Sequence, residues 1–94
     1  MDDLLTRRRD EILNAAARHG AHDVRVFGSF ARGDAGPASD VDLLVAMERG
    51  RSLFDLGELW DELERLLGRE VDVATENSLS PLIRDRVLAE AIRL

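Results

Sequence analysis

The chain has 94 residues and a formal net charge of −6, enough for one domain, residues 1–94, and too few for two. An acidic surface repels phosphate backbones, so direct nucleic-acid binding is excluded as the main role. Without cysteine there is neither a disulfide frame nor a thiolate metal site.

Residues 3–19 are expected to form a helix, capped by Asp2 or Asp3, with Leu5, Ile12, Leu13 and Ala16 at helical spacing and Gly20 at its end. Arg7, Arg8 and Arg9 fall on a solvated face. His19 and His22 flank Gly20, and a helix-end histidine facing the negative end of the dipole is favoured over a metal ligand. Residues 23–27 alternate as a strand. A long connection follows, with turn chemistry throughout. Residues 40–47 form a second strand. Ser52, with Asp55 three residues on, starts a second long helix. Leu53, Leu56, Leu59, Trp60, Leu63 and Leu67 make its apolar stripe, and Gly68 ends it. Residues 70–74 form a third strand. Ser80-Pro81 opens a last helix running towards Leu94, with Ile83, Val87, Ala91 and Leu94 inward.

This order implies an α/β (α+β) domain: a small mixed three-stranded sheet with helices packed on one face. Strand parity places Val41, Leu43 and Val45 towards the helices, and Asp40 and Asp42 on the opposite face. Val71 and Val73 likewise oppose Asp72. The start of the chain has no apolar signal segment, and no run approaches the roughly 20 residues needed to span a bilayer. A cytoplasmic protein without membrane contact is expected.

Asp40 and Asp42 are separated by two strand rises, about 6–7 Å. Carboxylates that close repel unless a cation lies between them, and magnesium, as one or two ions, accepts carboxylate and phosphate oxygens together. Asp72 is either a third ligand or the base that takes a proton from an acceptor hydroxyl. Alone, an Asp-x-Asp pair on a wet sheet face means little. Gly28 and Ser29 change its weight. They open a glycine-bearing loop whose amides can cradle phosphate, and Arg32 adds a guanidinium suited to phosphate oxygens. Ser39 braces the loop or touches phosphate. All the basic residues are arginine, so no lysine is available as a phosphate clamp. Arg84, Arg86 and Arg93 face either solvent or an acidic partner, and Leu53, Phe54 and Trp60 are candidate partner contacts.

The assembled pattern is a glycine-serine pair, ten intervening residues, then Asp-x-Asp. GSFARGDAGPASDVDLLV, with LGREVDVAT and LSPLIRDRVLAEAIRL behind it, resembles the nucleotidyltransferase superfamily of DNA polymerase beta, and within it the minimal nucleotidyltransferases. The resemblance implies the nucleotidyltransferase fold, with Gly28 and Ser29 on the triphosphate and Asp40, Asp42 and Asp72 completing the metal site. It also implies transfer of AMP from ATP to a tyrosine of a HEPN-type toxin, with this chain as antitoxin. The chain contains no tyrosine, so a tyrosine acceptor must lie on another molecule. Two other readings stand beside this one: a non-catalytic antitoxin acting by occlusion, and a subunit of a small-molecule, aminoglycoside-type transferase. A homo-oligomer is compatible with each.

Overall fold

The computed structural model describes residues 3–94, so a cap at Asp2 lies outside the described residues. The expected first helix is two segments, α1 (Asp3–Arg7) and α2 (Arg9–Arg18). Arg8, at φ −101°, is the irregular residue between them. Backbone hydrogen bonds still run from Arg8 to Leu4 and from Ile12 to Arg8, so the amphipathic face is continuous, and Leu5 and Ile12 are both fully buried.

Strand β1 (Ala21–Phe27) pairs antiparallel with β2 (Val41–Met47), which pairs in parallel with β3 (Val71–Ala74). Helix α3 (Ser29–Arg32) is a single turn inside the β1–β2 connection. Helix α4 (Leu53–Leu67) begins at the expected capping box: the Phe54 N–H donates to Ser52 Oγ, and the Ser52 N–H donates to Asp55 Oδ2 at 2.8 Å. Gly68 ends it in left-handed geometry. Helix α5 (Pro81–Glu90) starts with Ser80 as cap and Pro81 at its first position.

The chain differs from expectation after Glu90. Ala91 turns extended, and Ile92–Arg93 form a short fourth strand, β4, antiparallel to β1. The sheet order is therefore β3-β2-β1-β4. The expected apolar face is correct. Val41, Leu43, Val45, Val71 and Val73 pack with Ile12, Leu59 and Leu63 in one core. Trp60 packs at its margin, while Leu53, counted in the α4 stripe, is the first residue of the helix and is 84% exposed.

The opposite face is not wholly wet. Leu44 points there and is fully buried with Phe27, Leu79 and Val87, so α5 covers part of the second face. Val87 is the one buried residue of α5, and Ile83 is exposed rather than inward. The helices thus lie on both faces, with α5 beside the acids.

His19 Nε2 lies 2.8 Å from Glu62 Oε1, and Arg18 pairs with the same carboxylate, tying α2 to α4. These contacts hold the Glu62 carboxyl below its usual range, the His19 hydrogen bond most of all. His19 therefore serves as a helix-end brace. No helix among the described residues is long and apolar enough to cross a membrane.

Candidate active site

The site begins where β1 stops. Gly28 has φ +74°, a conformation that L side chains rarely adopt. A second constraint acts on the same residue. A Cβ built on Gly28 would run into the Asp42 carboxylate, which stands across the β1–β2 ladder where Phe27 pairs with Asp42. Glycine is therefore what lets the loop and the acid-bearing strand approach each other.

The loop is anchored rather than free. Phe30, one residue past Ser29, is 3% exposed and joins the main core. The Arg69 guanidinium lies 5.3 Å from the centre of its ring. Arg69 Nη1 also donates to the Ser39 carbonyl at 3.1 Å. Ser39 Oγ accepts the Gly36 N–H at 2.8 Å within the same loop. Arg69 thus ties together both ends of the segment that runs from the glycine-serine pair to the acids.

Asp40 is exposed immediately before β2, Asp42 is half-buried within it, and Asp72 is exposed on β3. Asp42 and Asp72 are register partners across the parallel ladder. Burial first, then the Asp72 and Asp40 charges, push the Asp42 carboxyl up to about 6; Arg32 opposes the rise.

Among the described residues no three carboxylate or imidazole side chains are gathered into a metal cage. Magnesium, however, is commonly held by one or two carboxylates plus substrate phosphates and water. Hard oxygen donors, mutual repulsion and an open side fit that arrangement at Asp40 and Asp42.

A cavity of about 430 Å³ brings most of the expected residues together: Gly28, Ser29, Arg32, Ser39, Asp40 and Asp42. Asp72 lies outside its lining, beside Asp42. The sequence reading missed the wall contributed by α5, namely Ile83, Arg86, Val87 and Glu90. Glu90 is the most consequential of these, because its carboxylate accepts the Gly28 N–H at 2.6 Å and pairs with Arg32. Arg86 makes no ion pair among the described residues. The other two α5-region arginines have internal partners: Arg84 donates to the Leu79 carbonyl and Arg93 pairs with Asp23.

The cavity gathers amide, guanidinium and carboxylate groups at one place, and comparison with known proteins gives the family. The family model for the nucleotidyltransferase domain matches residues 9–94. A provisionally named protein adenylyltransferase of Methanocaldococcus jannaschii is 46% identical over 87% of this chain and 88% of its own. Among solved structures, a provisionally named minimal nucleotidyltransferase is 54% identical with a TM-score of 0.87, over 100% of this chain and 97% of the other. A toxin-antitoxin crystal structure with AMP-PNP shares the fold at 21% identity, with a TM-score of 0.75 over 89% of this chain and 69% of the other. The family model and these relatives, matched along nearly the whole chain, show that this chain belongs to the nucleotidyltransferase domain family and, within it, with the minimal nucleotidyltransferases.

Proposed function

We propose that this enzyme transfers AMP from ATP to a hydroxyl of a partner protein in the cytoplasm, as the antitoxin of a pair whose toxin is a HEPN protein. The observation that carries this reading is the single cavity in which Gly28, Ser29 and Arg32 meet Asp40 and Asp42. The name of the Methanocaldococcus relative, 46% identical, supports protein as the acceptor class. The toxin-antitoxin resemblance is one of fold, and is consistent with a protein partner. The 94 residues contain no tyrosine, which supports action in trans on a tyrosine elsewhere. In this reading the transfer site lies within one domain, residues 1–94, and the partner presents the acceptor hydroxyl.

Asp40 and Asp42 would hold magnesium, with Asp72 as their neighbour on β3. When bound, the metal supplies positive charge to the triphosphate. The chain's own groups do the rest. Gly28 and Ser29 seat the phosphates, and Ser39 closes the loop around them. Arg32 stabilises the charge that develops on the leaving pyrophosphate. The acceptor hydroxyl oxygen bonds to the α-phosphorus. The bond from that phosphorus to the bridging oxygen breaks, and its electron pair leaves with pyrophosphate. Asp72, exposed beside Asp42, takes the hydroxyl proton.

The test is incorporation of labelled AMP into a purified HEPN partner, with a partner tyrosine-to-phenylalanine variant as control. Asp42→Asn removes a charge at nearly constant volume and is expected to abolish labelling. Labelling at the wild-type rate would instead leave occlusion as the better account of the antitoxin.

A further inference from the structure

Two donors that the proposed reaction assigns to phosphate are already engaged. The Gly28 N–H donates to Glu90 Oε1 at 2.6 Å. Arg32 Nη1 donates to Glu90 Oε1 at 3.3 Å and to Oε2 at 3.2 Å. Arg32 Nε also reaches Asp34 Oδ2. The Glu90 side chain is 19% exposed, a seated carboxylate, while the Arg32 side chain that it meets is about half exposed at 52%. A carboxylate and a phosphate present anionic oxygens to the same amide and guanidinium donors, and neither donor can serve both fully.

We propose that Glu90 is an internal competitor of the triphosphate, a carboxylate latch that fills the Gly28–Arg32 donor pair until a nucleotide displaces it. The proposal rests on the reading of Gly28 and Arg32 as phosphate ligands. The position of Glu90 suits a latch. It is the last residue of α5, next to Ala91, where the backbone leaves helical geometry. Val87, a turn earlier, with Leu88 and Ala91 holds this end of the helix in the second core, and Glu90 is not part of that packing but lines the cavity. A destination exists as well. Arg86 stands four residues back on the same helix, lines the cavity and has no ion pair among the described residues. Residues four apart on a helix are neighbours, so a released Glu90 has a cation within reach.

The consequence is a reduced apparent affinity. Binding to a state populated only in part weakens the measured constant by that fraction, so a latch closed nine-tenths of the time costs about tenfold. A Glu90 that merely orients Arg32 and remains in place would have the opposite effect, because removing it would loosen the guanidinium.

The experiment is calorimetric titration of AMP-PNP with magnesium into the wild type, Glu90→Gln, Glu90→Ala, Arg32→Ala and Asp42→Asn. Both Glu90 variants are expected to bind about tenfold more tightly than the wild type. Hydrogen exchange of the Gly28 amide, measured without nucleotide, is expected to be faster in Glu90→Ala. Unchanged or weaker nucleotide binding in the two Glu90 variants, with the wild type still sensitive to Arg32→Ala and Asp42→Asn, overturns the latch alone. Wild-type binding indifferent to both Arg32→Ala and Asp42→Asn overturns the phosphate-site reading on which the latch depends.

Discussion

Gly28 and Asp42 stand so close that a methyl group on the first would collide with the carboxylate of the second. The approach joins the loop to the acid-bearing strand, and it makes Gly28→Ala a two-part lesion. Gly28 combines φ +74° with ψ −153°, a region essentially reserved for glycine that costs an L residue on the order of 1–3 kcal/mol, and the collision adds to it. For a domain of this size each kcal/mol lowers Tm by about 4–8 °C. Gly28→Ala is therefore expected to melt at least 5 °C or so below the wild type in a thermal scan. Combining it with Asp42→Ala should recover part of the loss, because the collision disappears while the backbone strain remains. Strictly additive losses in the double variant would refute the contact.

Asp42 itself makes stability depend on pH. Its folded pKa of about 6 lies above the ordinary 3.8, so between these values the folded chain holds a proton that the unfolded chain has released. The Asp42 contribution is thus most favourable below about pH 4, is lost as pH rises to about 6, and is constant beyond. Asp42→Asn should melt above the wild type at pH 7–8, and the gap should close on acidification through that window. Magnesium should raise the wild-type Tm above pH 6 and lose its effect as Asp42 becomes protonated. A gap that does not change between pH 4 and pH 8 would refute the assignment.

The parts of this arrangement that sequence made legible are those governed by short spacing. The separation of the glycine-serine pair from Asp40 and Asp42, the parity of β2 and β3, and the Ser52 and Ser80 helix starts all lie within a few residues of what specifies them. Glu90 was not legible, since it meets Gly28 across 62 positions and sits in an unexceptional helix. Arg69 similarly meets Ser39 across 30 positions. The two-sided burial of β2 did leave a signal. Leu43, Leu44 and Val45 are consecutive and buried, a pattern that requires both faces to be covered. Strand β4, with only two residues, is too short to carry a period at all.

Arg69 is expected to position the acids without touching nucleotide. It holds the Ser39 carbonyl just before Asp40 and stacks on Phe30 just after Ser29. Losing a charged hydrogen bond and a cation–π contact costs roughly 1–3 kcal/mol. Arg69→Ala should lower Tm and reduce kcat for AMP transfer. Arg69→Lys should restore part of both, since the charge stays near the ring while the planar guanidinium is lost. Wild-type kcat in a destabilised Arg69→Ala protein would show that the strap serves the fold alone.

Asp72 provides the sharpest division between binding and chemistry. It is the register partner of Asp42 yet lies outside the cavity lining, and the proposed reaction assigns it to the acceptor hydroxyl rather than to the phosphates. As the proton acceptor it should matter little to nucleotide binding and strongly to turnover, since a positioned base contributes typically 10²–10⁴-fold. Asp72→Asn should therefore leave the affinity for AMP-PNP with magnesium within about twofold, while labelling of the partner falls by about a hundredfold or more. Because the base acts on the hydroxyl, the residual rate should rise with pH as hydroxide takes over the proton. A large loss of nucleotide affinity in Asp72→Asn, matched by an equal loss of rate, would instead make Asp72 a ligand of the nucleotide-bound metal and leave the proton to another acceptor.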